Sequence, residues 1–187
     1  IQLNVIPIND APVMIVNGTS PGSPVIIEYP ERRDPEYIIP FGSGFVISDV
    51  DSTILSSCRI QLENPSQIED EKLIYPANYD LSLFKIDYDS ITGLLTITGN
   101  TTLLNYESII AQIAYFNPSS NPDVSSPANP RLVSLVCTDD KEADSNTQFV
   151  KIDMIPEDNP PIVDLNGPGT PGLNSEDTFV EDSDPIP

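Results

Sequence analysis

The chain contains no histidine and no tryptophan in 187 residues. Without imidazole there is no histidine base, nucleophile or metal ligand, so serine-triad, papain-like and zinc chemistry fit poorly. Cationic side chains are scarce: 8 Lys plus Arg stand against 29 Asp plus Glu, a formal charge of -21 with a pI near 4.1. That excludes duplex nucleic acid as a natural partner, because binding there rests on cationic contacts to phosphate, and disfavours an anionic membrane surface. No apolar run approaches the roughly 18 to 20 residues of a membrane span. Ile1-Gln2-Leu3-Asn4 has neither the basic start nor the apolar run of a signal peptide, so the chain reads as an excerpt from something longer.

The 39% hydrophobic content supports a core. Twenty Pro and nine Gly punctuate the chain too often for long helices, and short runs of Val, Ile, Leu, Tyr and Thr lie between them. This is the composition of an all-β extracellular module. Two sequons, Asn17-Gly18-Thr19 and Asn100-Thr101-Thr102, agree with a secretory route and make Asn17 and Asn100 candidate glycosylation sites, whereas Asn64-Pro65-Ser66 is barred by its proline.

The segment Pro7 to Gly18 is repeated, with substitutions, at Pro156 to Gly167, an offset of 149 residues. Each copy leads into Pro, Gly, Ser and Thr and then into an acidic stretch. One full repeat is therefore expected between two copies of the same junction: residues 1-10 end a preceding repeat and its linker, 11-156 form the repeat, and 157-187 carry the next linker and start the next unit. The parent reads as a tandem array.

Between the junctions strand follows strand. Phe84, Ile86 and Tyr88 alternate with Lys85 and Asp87, the period of two expected when one face packs and the other meets water. Ile91-Thr92-Gly93 supplies a turn and Leu94 to Thr98 returns. Cys58, Ile60 and Leu62 share a face, as do Val133, Leu135 and Cys137, and Val150, Ile152 and Met154. The expected fold is an all-β Greek-key β-sandwich of about seven strands, with residues 64 to 78 and 117 to 130 as surface loops.

Carboxylates gather at strand ends: Asp49-Val50-Asp51 after Phe45 to Ser48, Asp139-Asp140 after Arg131 to Thr138, Glu107 after Leu104-Asn105-Tyr106, and Glu157-Asp158-Asn159 in the junction. Two carboxylates about 5 Å apart repel by roughly 3 kcal/mol at an effective dielectric of about 20, a heavy charge on a marginal domain. A hard cation taking six to eight oxygen ligands removes that cost, and Ca²⁺ tolerates mixed Asp, Glu, Asn and carbonyl donors better than magnesium does.

Phe84-Lys85-Ile86-Asp87, Thr92-Gly93-Leu94-Leu95-Thr96-Ile97 and Leu104-Asn105-Tyr106-Glu107 resemble, in order, the F-x-I-D strand, T-G turn and strand, and L-D-x-E element of a cadherin repeat. Asp49-Val50-Asp51 resembles its D-x-D motif, Cys137-Thr138-Asp139 its A-x-D element, and Asp158-Asn159-Pro160-Pro161 the end of its linker. The resemblance implies a cadherin-like, immunoglobulin-like sandwich with Ca²⁺ between successive repeats. At the C-terminal pole Glu28 and Glu107 would join Glu157, Asp158 and Asn159 and meet Asp182 and Asp184 of the next unit, with Glu36 able to replace Glu28. At the N-terminal pole Asn9 and Asp10 would face Asp49, Asp51 and Asp139. The chain departs from the pattern at Asn105, where the family has Asp, in a linker without its leading Asp, and in Asn9-Asp10, which reverses Asp158-Asn159.

Against this stand plainer readings. An isolated D-x-D is most often a solvated strand end, and Asp87 and Asp89 read as strand and turn polar residues. Cys58 and Cys137 suit either buried thiols or one cross-strand disulfide, the even count favouring the bond. Tyr75, Tyr79, Tyr106, Tyr115 and Phe116 could form a sugar-stacking platform, but aromatics on strands are mostly core or cross-strand partners. The leading expectation is a non-enzymatic structural and adhesive module of an extracellular or cell-surface array, stiffened by Ca²⁺, with neighbouring repeats and other extracellular proteins as partners. The alternative is a carbohydrate- or ligand-binding sandwich whose two long loops form the site. A paired-carboxylate glycosidase needs opposed acids at a cleft, which strand-end clusters do not supply.

Overall fold

Alternation of branched apolar and polar residues does here what physical chemistry requires: it makes strands with one dry face. A computed structural model describes residues 6, 8–31, 37–65, 71–119 and 130–155, all within a unit spanning Ile1–Glu157. In chain order the described elements are β1 (Val13–Val16), β2 (Val25–Pro30), β3 (Tyr37–Ile38), β4 (Phe45–Ser48), β5 (Ile54–Leu62), β6 (Lys72–Ile74), β7 (Lys85–Asp89) and β8 (Leu94–Thr102). Helix α1 (Leu103–Ile110), β9 (Ala114–Phe116), β10 (Arg131–Asp139) and β11 (Gln148–Ile155) complete them.

A six-stranded sheet in the order β2-β11-β10-β5-β8-β7 forms one layer. It is antiparallel except where β2 runs parallel to β11. A β1-β4 pair and a three-stranded sheet β3-β9-β6 add to the fold, and residues of all three sheets and of α1 meet in one core. The fold is therefore all-β and sandwich-like. It has eleven strands among the described residues rather than about seven, the surplus being short strands of two to four residues.

The faces read from the sequence carry the core. Cys58, Ile60, Leu62, Val133, Leu135, Cys137, Val150 and Ile152 are fully or almost fully buried, and Cys137 lies directly opposite Cys58 across the β5-β10 ladder, joined to it by a disulfide. The β7-β8 hairpin closes as its residues demand. Asp89 accepts from the Ile91 amide (2.9 Å) and the Thr92 hydroxyl (2.8 Å), and Gly93 sits at φ +74° with its N–H on Asp89 O (2.8 Å). A Cβ at Gly93 would also come within 3.1 Å of Leu62 O.

Two elements differ from the strand-only reading. Leu104-Asn105-Tyr106-Glu107 is the middle of α1, an eight-residue helix whose N-cap Thr102 accepts from the Asn105 amide (3.3 Å). Its buried residues Tyr106, Ile109 and Ile110 recur at helical spacing, and the Tyr106 hydroxyl donates to Gly99 O (2.8 Å). The stretch 64–78 is not simply a surface loop, because it contains β6 and buries Glu71 and Leu73. Burial of Glu71 is compensated by Arg131 at the far end of the other irregular stretch: Arg131 Nη2 to Glu71 Oε1 is 2.7 Å and both side chains are fully shielded. Positions 66–70 and 120–129 lie outside the described residues.

Candidate metal centre

The β5-β10 register sets Asp139 opposite Leu55, so the turn leaving β10 comes to rest beside the turn entering β5. The segment ahead of β1 arrives at the same pole, because β1 runs antiparallel to β4 with Val13 opposite Ser48. Three segments distant in sequence therefore converge: Asn9-Asp10, Asp49 to Ser52, and Asp139 to Ala143.

Asp139, fully buried, is the hub. Its Oδ1 accepts from the Lys141 and Ala143 amides (2.8 Å each) and its Oδ2 from Asn9 Nδ2 (2.7 Å). Burial pushes this carboxyl upward, but the bonds from Asn9, Ala143 and Lys141 and the charge of Lys141 together hold it below the usual carboxylate value. Asp49 Oδ1 accepts from the Asp51 and Ser52 amides (2.9 and 3.0 Å), which curls the D-x-D turn on itself. Ser52 donates to Asp140 (2.6 Å) and ties the two turns together. Asp51 takes the Lys141 ammonium at 3.0 Å and the Asp10 amide at 3.3 Å. The Lys141 bond is the main cause of its lowered pKa, with desolvation opposing and the Asp10 amide helping, and the same bond raises Lys141.

Two oxygens in this cluster, Asn9 Oδ1 and Asp49 Oδ2, are buried and have no hydrogen-bond partner. A buried acceptor left unmade costs on the order of 1–3 kcal/mol. Both are hard oxygen donors, of the amide and carboxylate types that Ca²⁺ accepts. These two oxygens are the feature of the pole that a hard cation would satisfy. Among the described residues no group of three or more Asp, Glu, Cys or His side chains is arranged to hold an ion; Asp51 is engaged by Lys141, and part of the donor set is an amide.

The residues assigned to the C-terminal pole fall differently. Glu157, Asp158, Asn159, Asp182 and Asp184 lie outside the described residues, as does Glu36. Glu107 Oε1 accepts from the Ile47 amide of β4 (2.7 Å), and α1 starts beside Thr53, with the Leu103 N–H on Thr53 O (3.2 Å). Glu28 is exposed on β2, in register with Asp153 of β11 and two residues short of the strand ends. Glu107 and Glu28 thus sit on elements that are not strand neighbours, and Glu107 is committed to β4. Asn17 and Asn100 are exposed, Asn17 at φ +50° in an Asn-Gly turn and Asn100 on β8.

Sequence reading passed over Lys141 and Asp153. Lys141 was visible as the one cation inside Asp139-Asp140-Lys141-Glu142-Ala143-Asp144, but its reach to Asp51 spans 90 residues and has no local signature. Asp153 stands in register with Glu28 in a parallel strand pair, which no short-range pattern announces.

No protein-family model and no curated protein matches the chain. Among solved structures it is similar to a chain of the Coh-OlpC-Doc435 complex, a type I cohesin-dockerin complex from Clostridium thermocellum. That similarity has a TM-score of 0.35 and 13% identity, and it covers 81% of this chain and 100% of that one.

Proposed function

We propose that this chain is a calcium-stiffened structural and adhesive module of a tandem-repeat extracellular or cell-surface protein, related to cadherin repeats. The observation that carries the reading is the N-terminal pole, where Asn9, Asp49, Asp51 and Asp139 converge from three segments and leave Asn9 Oδ1 and Asp49 Oδ2 buried without a partner. Asn9, Asp49 and Asp139, with Asp51 and Asp10 at the rim, would hold the ion. When bound, Ca²⁺ neutralises the carboxylates and gives the orphaned oxygens a partner.

The chain's own residues then do the mechanical work. Asn9 and Asp10 belong to the segment ahead of the first strand, whereas Asp49, Asp51 and Asp139 belong to the body of the sandwich. Clamping the first set to the second fixes the angle at which that segment leaves the domain. Without neutralisation, Asp10, Asp49, Asp51, Asp139 and Asp140 repel one another, which works against the Asn9–Asp139 and Asp10–Asp51 hydrogen bonds that hold the segment. Three features support the extracellular setting: the Cys58–Cys137 disulfide, the exposure of both sequon asparagines, and the acidic charge. No helix among the described residues is long and apolar enough to cross a membrane.

Calorimetric titration of Ca²⁺ into the protein tests the reading directly, and a stoichiometry of zero would sink it. Small-angle scattering of a two-repeat protein with and without chelator tests the mechanical part: the maximum dimension is expected to become more variable once Ca²⁺ is removed.

A second reading, a carbohydrate- or ligand-binding sandwich, is favoured by one feature. A groove of about 370 Å³ is lined by Tyr37, Ile39, Ile74, Tyr75, Pro76 and Gln112, among others. A glycan array with the wild type and Tyr75→Ala separates the two readings, since only glycan binding lost in the variant would support this one.

A further inference from the structure

Of the five most exposed large apolar side chains among the described residues, four stand at the N-terminal pole: Ile6, Ile8, Val50 and Leu104, which are 76, 84, 87 and 73% exposed. Neither Val50 nor Leu104 serves its own element. Val50 is the tip of the turn that Asp49 curls by accepting the Asp51 and Ser52 amides, a place that small polar residues ordinarily fill. Leu104 is the second residue of α1, whose buried side is Tyr106, Ile109 and Ile110, and a carboxylate would suit that first turn better. The turn and the helix face each other across a groove of about 360 Å³ lined by Asp49, Ser52, Thr53 and Leu104, among others. The Asp10 amide on Asp51 (3.3 Å) and Asn9 on Asp139 (2.7 Å) fasten the segment carrying Ile6 and Ile8 to the same end of the domain. Single apolar side chains scattered over a surface are ordinary, whereas a gathering at one end marks a contact. The fifth, Ile91 (81%), tips the β7-β8 hairpin at the opposite pole, where Gly93 meets the end of β5.

The repeat in the sequence points to the occupant. At the same offset of 149 residues, Ile1-Gln2-Leu3-Asn4-Val5-Ile6 matches Val150-Lys151-Ile152-Asp153-Met154-Ile155, the last six residues of β11. Apolar residues match apolar at every second position, and Ile6 takes the place of Ile155, where the last strand of a repeat ends. Asn9 is already fastened to Asp139. Three residue steps therefore separate the end of a preceding repeat from this pole, about 10 Å at full extension. That is the distance at which packed layers touch through their side chains.

We propose that the N-terminal pole is a docking surface for the C-terminal end of the preceding repeat, held by apolar contact through Val50 and Leu104. Ile6 and Ile8, on the connection itself, are covered in the same contact. Burial of these side chains sets the angle between the two repeats whether or not an ion is present. The proposal rests on the tandem-repeat part of the functional reading and is independent of its calcium part.

The test compares the present chain with the longer parent chain that carries the preceding repeat as well. Methyl NMR with a soluble paramagnetic probe reads the exposure of Val50, Leu104 and Ile91, once with Ca²⁺ and once with chelator. In the longer chain the Val50 and Leu104 methyls are expected to lose most of the probe-induced relaxation they show in the present chain, under both conditions, while Ile91 keeps its own. Nitrogen-15 relaxation adds a mechanical readout: wild type and Ile91→Ser are expected to tumble as one body, and Val50→Ser with Leu104→Ser as two loosely joined ones. All three side chains are exposed within the repeat, so these changes leave its fold intact. Methyls equally exposed in both chains, or tumbling unaltered in the double variant, overturn the proposal. Protection that appears only with Ca²⁺ also overturns it and leaves the ion as the clamp. Protection that appears in the present chain as its concentration rises assigns the surface to a second copy and overturns it likewise. Docking that persists in a protein that takes up no Ca²⁺ on titration supports the proposal and removes the calcium reading instead.

Discussion

At the scale of single residues, energy is concentrated where polar groups are buried. Asp139 satisfies three donors at once, so Asp139→Ala leaves the Lys141 and Ala143 amides and Asn9 Nδ2 without their partner. A loss of about 2–4 kcal/mol is expected in urea unfolding at pH 7. The folded pKa values of Asp139, Asp51 and Asp144 are all depressed. As pH falls through the ordinary value of about 4, the unfolded chain takes up these protons before the folded one does. Their contribution is thus complete above that value and is lost progressively below it. Unfolding at pH 7, 5, 4 and 3 should show a flat stretch and then a decline below about pH 4–5, shallower in Asp139→Ala. At Glu71–Arg131 the two charges shield each other in a dry site, so Arg131→Met is expected to cost about 3–5 kcal/mol and Arg131→Met with Glu71→Leu distinctly less. A double-mutant cycle reads the difference.

At the scale of elements, α1 and the disulfide each have a clear handle. Thr102 caps α1 from the last position of β8, and Thr102→Ala should lower stability by about 1 kcal/mol, measurable by thermal unfolding, without disturbing the β5-β8 ladder. The Cys58–Cys137 bond closes a separation of 79 residues, and reduction or a paired Cys→Ala change should cost roughly 2–4 kcal/mol, mainly by freeing the unfolded chain. The strands themselves are legible in the sequence: the faces of β5, β10 and β11 follow the alternation, and the Gly93 turn follows from a residue able to take positive φ. The helix is less so, although Thr102 ahead of Leu103, Tyr106 and Ile110 carries the cap and the 3.6 period. A short helix that begins directly at the end of a long strand is easily read as one strand-end turn. Strand β6 is hidden because an acid at Glu71 argues for solvent unless its cation, 60 residues away, is known.

At the scale of the whole molecule, the calcium reading makes the stability of the fold depend on an ion. A ligand that binds only the folded state at 100 times its Kd adds about 2.7 kcal/mol, so the unfolding midpoint should rise by several degrees between chelator and saturating Ca²⁺. Asn9→Ala is expected to remove most of that rise, because it deletes one of the two orphaned oxygens together with the bond to Asp139. An equal rise in both proteins would place the ion elsewhere. Magnesium at the same concentration is expected to do less, since it demands stricter octahedral geometry than this mixed donor set offers.

The order of residues alone determined the class of fold, the inward faces, the hairpin turn and the positions of the acidic strand ends, because each depends on neighbours a few residues apart. Tertiary structure alone decided which acids meet. Asp139 faces Asn9 and Asp51 faces Lys141 because the β5-β10 and β1-β4 registers bring those turns to one pole, whereas Glu107 is drawn to the Ile47 amide by the packing of α1 on β4. Register is a long-range property set by how whole faces bury, and one step of slip would exchange inside for outside along a strand. A carboxylate's place in the chain therefore says that it has charge to be neutralised, and only the folded sheet says by what.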